Sequence, residues 1–209
     1  MNTGARGVWL LVLAVAQAAA QPAAPGPLES VRRSNDKVRS ILAGRAAADP
    51  RIEQELVAAL DEATDFGLIS RRATEGFRER MTESEYAEFD RTFRDLLRRS
   101  SLRKLGRYRA DRFEYAGEDV RGETAVVRTV AFYETDSVRL DYRMERTGGR
   151  WLIVDYVVDD VETVRNYRKQ FARLFASNDA AGVIRKLRAK IAEIDEERRA
   201  EREPGGAGR

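Results

Sequence analysis

Between Trp151 and Phe175 a nearly unbroken apolar strand passes almost directly into an amphipathic helix, and this junction restricts the possible folds more than any other stretch. Trp151, Leu152, Ile153, Val154, Tyr156, Val157 and Val158 place apolar side chains on both faces of a strand, so both faces need cover. The helix behind it carries Val161, Val164, Tyr167, Phe171, Leu174 and Phe175 at spacings of three and four, which makes one apolar stripe. Strand and helix together read as one wall of an apolar enclosure.

The rest of the chain supplies the other walls. Leu28, Val31, Val38, Ile41 and Leu42 fit a first helix ending at Gly44, and Asp49 with Pro50 make an N-cap and first-turn pair for a second helix carrying Ile52, Leu56, Leu60 and Ala63. A short third helix is expected to hold Leu68, Ile69, Ala73 and Phe77. Thr82 and Glu85 have capping-box spacing, and Tyr86, Phe89, Phe93, Leu96 and Leu97 follow on one helical face. From Tyr108 the period changes to two, with Phe113 and Tyr115 on one strand and Val138, Leu140, Tyr142 and Met144 on another. Ala125 to Tyr133 is more uniformly apolar and reads as a central strand, and Gly148–Gly149 predicts a hairpin into the Trp151 strand. A last helix carries Val183, Ile184, Leu187, Ile191 and Ile194. Helices, then antiparallel strands, then helices give an α+β domain over residues 28–195: a curved sheet of about four strands covered by helices, with an apolar pocket between.

Composition excludes several functions. The chain has no His and no Cys, so it lacks the commonest general base, the commonest zinc ligand and every thiol mechanism, and nothing in it implies a cofactor or a metal. Its 38 Lys and Arg are nearly matched by 35 Asp and Glu interleaved along the helices, which argues against a nucleic-acid surface. No glycine-rich phosphate loop is present.

The N-terminus addresses the chain elsewhere. Arg6 precedes an apolar run from Val8 to Ala16, and Ala18, Ala19 and Ala20 provide small residues before Gln21, the pattern of a cleavable secretory signal over residues 1–20. Residues 21–27, rich in Pro, Ala and Gly, read as a flexible leader, and residues 196–209, all charge, Gly and Pro apart from single alanines, as a disordered tail.

Trp151, Asp155, Val161, Val164, Asn166, Tyr167, Arg168 and Phe171, with Val138, Leu140 and Asp141 on the preceding strand, resemble the signature region of the MlaC family. These are periplasmic toluene-tolerance proteins that carry phospholipid for an ABC transporter and so bear on outer-membrane lipid asymmetry. The similarity runs upstream through Asp65, Phe66, Thr82, Phe89 and Phe93 and downstream to Gly182 and Leu187, covering roughly Leu28 to Ile194. The chain departs from the family at the strand-to-helix junction, where Asp160, Val161 and Glu162 replace the usual Gly, Val and Ser. Asp160 is suited either to a left-handed backbone or to capping the helix.

The resemblance implies a periplasmic carrier that encloses a phospholipid's acyl chains. Its implied partners are an inner-membrane ABC permease complex with a lipid-binding ring subunit and an outer-membrane lipoprotein complex. A shuttle that offers its mouth to two partners is expected to be a monomer. Burying some thirty methylenes at about 0.8 kcal/mol each offsets roughly 24 kcal/mol of exposure to water, so such a lipid needs a carrier to cross an aqueous compartment. A carrier of another lipid, such as a hopanoid, is the alternative cargo reading, and a small enzyme using Asp155 as a general base is the alternative in kind.

The expected lipid-binding residues are Val127, Thr129 and Ala131 from the second strand, Leu140 and Tyr142 from the third, and Ile153 and Val157 from the fourth. Phe93, Leu97, Tyr167 and Phe171 join them from the helices, and no catalytic residue is assigned. Asp155 is expected to pair with an arginine or to mark a strand edge. Arg165 and Arg168 are candidates for lipid phosphate, for an acidic partner, or for a solvated helix face; Arg98, Arg99, Arg103, Lys104 and Arg107 are candidates for steering to an anionic membrane or partner, or equally for a solvated face.

Overall fold

The computed structural model describes residues 24–45, 49–107, 110–133 and 136–202. The expected signal at 1–20 lies outside the described residues, as does the last part of the expected tail, 203–209.

Helix starts follow their local chemistry. Pro27, whose ring pre-sets a helical φ, opens α1 (Pro27–Leu42), so the expected leader already gives way to helix at its last residue. Asp49 accepts the Arg51 N–H at 2.8 Å and caps α2 (Pro50–Ala63). Asp65 accepts the Leu68 N–H at 2.7 Å and caps α3 (Phe66–Ala73). The chain leaves α3 before Phe77, contrary to the expected extent, because Gly76 at φ 86° turns it into a short 3-10 segment, Arg78–Arg80. At α4 (Glu83–Arg107) the capping box closes in both directions: the Glu85 N–H donates to Thr82 Oγ1 at 3.2 Å, and the Thr82 N–H donates to the Glu85 carboxylate at 2.8 Å.

Five antiparallel strands follow in sequential order: β1 (Arg112–Arg121), β2 (Thr124–Tyr133), β3 (Asp136–Thr147), β4 (Arg150–Val158) and the two-residue β5 (Val161–Glu162). The β3–β4 hairpin turns at Gly148 and Gly149, both at positive φ, as the sequence predicts. Strand β5 adds a fifth strand to the four expected. Val161 therefore belongs to a strand edge, 55% exposed, and not to the apolar stripe of the helix, which starts two residues later as α5 (Thr163–Ser177).

Helix α6 (Ala180–Arg202) runs past the point where the tail was expected to begin. Its charged extension is held by partners: Arg198, only 4% exposed, donates to Glu53 of α2 at 2.8 Å, and Glu197 accepts from Arg103 of α4 at 3.1 Å. Composition alone hides this, because the compensating charges lie far away in the chain.

The sheet carries α1 on one face, over β1 and β2, while α2, α3 and α5 gather along β4 and α6 packs on α4. The turn from β4 into β5 is made by Asp159 at φ 45° and Asp160 at φ 66°, so Asp160 does take the left-handed conformation that a family glycine would favour. Arg139 of β3 holds both: its N–H donates to the Asp159 carboxylate at 3.1 Å, and its guanidinium pairs with Asp160. Because the backbone, not the exposed ion pair, is the constraint here, Asp160→Gly should leave the unfolding midpoint nearly unchanged. Asp160→Val should lose about 1–2 kcal/mol in urea unfolding. Equal stability of the two variants would show that the turn tolerates any residue.

Candidate functional site

The sequence-selected apolar residues divide between two packed clusters. Phe93, Leu97 and Phe171 are buried in a helical cluster with Phe89, Phe175 and Ile194, with Tyr167 packed against it. Its centre is aromatic: Phe171 meets Phe93 edge-on at 4.8 Å between ring centroids and Phe89 at 5.2 Å, and Tyr167 meets Phe93 at 4.9 Å. Val127, Tyr142 and Ile153 are buried in a second cluster between the sheet and α1, with Val31, Ala125 and Met144; Leu140 and Trp151 pack at its margin. Thr129 and Ala131 are buried on β2, and the Thr129 hydroxyl donates to the Leu140 carbonyl at 2.6 Å. Only Tyr156, among the hydrophobic residues packed against the clusters, touches both. The expected apolar residues thus fall in two clusters that share Tyr156 at their margins.

Val157 lies on the opposite face of the sheet from Ile153, with which the sequence grouped it. Met144 pairs with Ile153, but Arg143 pairs with Asp155, so β4 carries one extra residue, Val154, against β3. This bulge reverses the alternation. Ile153 stays on the α1 side, whereas Asp155 and Val157 lie across from Arg143 and Asp141 on the opposite side of the sheet.

Two polar residues beside the sheet cluster were missed by reasoning from apolar stripes. Asn35 of α1 donates to the Tyr115 hydroxyl at 3.2 Å and accepts from the Tyr142 hydroxyl at 3.1 Å, while Thr64 shares a hydrogen bond of 2.6 Å with the Tyr156 hydroxyl. The signal for Asn35 is its place in the α1 stripe, four residues after Val31 and three before Val38. Burial raises the phenols of both Tyr142 and Tyr156, the latter up to about 12, so both stay neutral and donate or accept as hydroxyls.

Across the bulge, Asp155 organises the entry into α5. It is 6% exposed, and its carboxylate accepts the Val164 N–H at 3.0 Å, capping a helix whose own N-cap residue, Glu162, makes no side-chain cap bond. Burial raises its pKa, opposed by the Val164 bond and by the nearby Arg143 charge. Arg143 in turn donates to Glu162 at 2.6 Å. Asp155 was expected to pair with an arginine or to mark a strand edge; its hydrogen bond is instead to the Val164 N–H, and Arg143, paired with Glu162, acts on it only as a nearby charge.

Against this junction lies a cavity of about 560 Å³, with Val154, Val164 and Ala172 as its apolar lining and Arg72, Arg143, Arg165, Arg168 and Lys169 around them. It shares Arg72, Arg143 and Val154 with a second cavity of about 460 Å³ that reaches Asp119 and Arg121. Of the basic run on α4, Arg98, Arg99 and Arg103 have partners on neighbouring elements, and the side chain of Arg107 lies outside the described residues. Arg98 pairs with Asp61, Arg99 with Asp95 and Asp195, and Arg103 with Glu197, so these charges fasten α4 to α2 and α6.

The sequence matches the MlaC protein family over residues 32–189. The chain belongs to the MlaC family. Seven solved chains match this MlaC-family fold. One is a phospholipid-binding protein from Ralstonia solanacearum, solved in complex with a phospholipid. It superposes with a TM-score of 0.73 at 20% identity, over 82% of this chain and 99% of that one. No curated protein matches the chain. Among the described residues, no helix of this MlaC-family protein is long and apolar enough to cross a membrane.

The raised Asp155 carboxyl makes a signed prediction. Between the ordinary aspartate value of 3.8 and the higher folded value, the folded chain binds more protons than the unfolded chain, so Asp155's contribution to stability falls as pH rises through that window. Asp155→Asn cannot ionise, and its urea midpoint relative to the parent should therefore improve from about pH 3 upward and then level off. A difference that stays flat, or moves the other way, would show that burial does not govern this carboxyl.

Proposed function

We propose that this protein is a phospholipid carrier of the periplasm, working between the two membranes of the cell envelope for an ABC transport system. The observation that carries the proposal is the pairing of MlaC family membership with the fold of a protein that holds a phospholipid, over nearly the whole of that protein. The N-terminal Arg6 to Ala20 segment supplies the export route as a cleavable signal.

The internal chemistry suits such cargo. Two apolar clusters meet at Tyr156, and acyl chains would enter by parting side chains that otherwise pack on one another. Apolar contact is exchanged for apolar contact, so the free-energy change between loaded carrier and membrane is small, and partners on either membrane can tip it. Val127, Thr129, Ala131, Leu140, Tyr142 and Ile153 are the sheet-side candidates for chain contact, and Phe93, Leu97, Tyr167 and Phe171 the helix-side ones. Direction comes from outside the chain, through an inner-membrane permease complex with a lipid-binding ring and an outer-membrane lipoprotein complex.

The reading is of a binding protein and not of an enzyme. Asp155, the strongest candidate base, is occupied by the Val164 amide and lies beside Arg143. A phospholipid is favoured over a hopanoid by the phospholipid held in the structurally similar protein.

Native mass spectrometry of the gently purified mature chain should show a monomer with one phospholipid bound. Recovery only as a lipid-free species after loading from phospholipid vesicles would defeat the carrier reading, and a polycyclic lipid in its place would transfer the proposal to that cargo.

A further inference from the structure

The cavity beside β4 holds more cationic side chains than the fold uses. Three of its arginines are built into the walls. Arg143 donates to Glu162 at 2.6 Å, and Arg72 to Glu145 at 2.5 Å. Arg168 donates to the Arg72 carbonyl at 2.6 Å and to Glu75 at 2.7 Å. These bonds join β3 to the start of α5, α3 to β3, and α5 to α3, so the cavity is framed on three sides by ion pairs that fix its shape.

Arg165 and Lys169 remain. They stand four residues apart on α5, both line the cavity and both are exposed, and neither is used in an ion pair or hydrogen bond among the described residues. The lining sets five cations, Arg72, Arg143, Arg165, Arg168 and Lys169, against Asp155 and Glu162, and Glu145 and Glu75 beyond it pair with Arg72 and Arg168, which leaves an excess of 5 − 4 = 1 positive charge. Each anion already has a donor partner, Asp155 the Val164 N–H and Glu162 the Arg143 guanidinium. The apolar lining, Val154 and Val164, adjoins the helical cluster through Val164, which packs against it.

A ligand that fits must be an anion small enough for about 560 Å³, with a less polar end that can rest on the valines. Carboxylates, sulfates and phosphates share the charge, but a phosphate ester also offers several acceptor oxygens to two donors of different geometry, the fork of Arg165 and the point charge of Lys169. We propose that this cavity is a phosphate-ester site, with Arg165 and Lys169 as its ligating side chains and the Arg143–Glu162, Arg72–Glu145 and Arg168–Glu75 pairs as its frame. The proposal deepens the carrier reading and rests on it only for the source of the ester, which is either the headgroup of the cargo lipid or a free phosphate ester in solution.

The test uses the whole mature chain, with sn-glycerol 3-phosphate as the soluble probe and vesicles of equal parts phosphatidylglycerol and phosphatidylethanolamine as the lipid source. Calorimetric titration at low salt should show the probe bound by the parent. Arg165→Gln with Lys169→Gln should weaken it at least about tenfold, since two charge-assisted contacts are lost. Arg173→Gln, one turn further along α5 and outside the cavity lining, should leave the affinity unchanged. Failure of the parent to bind the probe, or equal weakening by Arg173→Gln, overturns the proposal, the latter by reducing the effect to general surface charge. Circular dichroism and urea midpoints of the two variants should coincide with the parent, because neither ligating side chain holds the fold together.

Loading then separates the two sources. If the ester is the headgroup, the probe competes with vesicle lipid for the protein, and the double variant changes the ratio of the two lipids taken up. If the ester is free, probe and lipid bind together and the ratio is unaltered. Both results support the site. A parent that binds the probe but takes up no lipid would keep the phosphate site and sink the carrier reading alone.

Discussion

One extra residue in β4 sets the arrangement on which the rest depends. With Val154 bulged against β3, Ile153 faces the α1 side and Asp155 the other, and each then meets what it needs: Ile153 the apolar cluster over the sheet, Asp155 the first turn of α5. Without the bulge the alternation would send Asp155 into the apolar cluster that contains Val127 and Met144, where a carboxylate would be costly to bury. The bulge therefore lets one strand serve an apolar interior and a polar junction within three residues. It also carries Tyr156 to the place where its ring joins the two clusters while its hydroxyl reaches Thr64.

Much of this was legible in the sequence, and the parts that were not share a cause. Helix starts were readable because capping is local: Asp49 and the Thr82–Glu85 pair act within three residues of themselves. The hairpin at Gly148–Gly149 was readable for the same reason. The bulge was not, because period-two reasoning assumes unbroken pairing, and so Val157 was grouped with Ile153 although they lie on opposite faces. Val161 was read as helical because its spacing to Val164 is correct, yet the two αL aspartates before it turn the chain back along β4 first. Helix α6 outran its apolar stripe because the partners of Arg198 and Glu197 lie on α2 and α4.

The candidate site shows the same division. Apolar periodicity found residues that are buried, including Phe93, Val127, Tyr142 and Phe171, but could not assign them to separate clusters. Nor could it find Asn35, whose side chain ties α1 to two different strands and thereby fixes the cover over the sheet. The charged residues were harder still, since an arginine in a frame and an arginine in solvent look alike in one dimension. Arg168 and Arg165 sit three residues apart on one helix, and the positions of Arg72 on α3 and Glu75 just beyond it distinguish them.

Trp151, at the margin of the sheet cluster, has an optical consequence. The chain has two tryptophans, and Trp9 lies in the stretch proposed to be removed on export, which leaves Trp151 as the single indole of the mature protein. Its emission then reports the hydration of the cover formed by α1 over the sheet, while the aromatic helical cluster, built of Phe and Tyr, stays silent at red-edge excitation. The fold thus carries its own fluorophore on one of the two apolar clusters, and if cargo enters as proposed, the cluster that moves can be identified without adding a label.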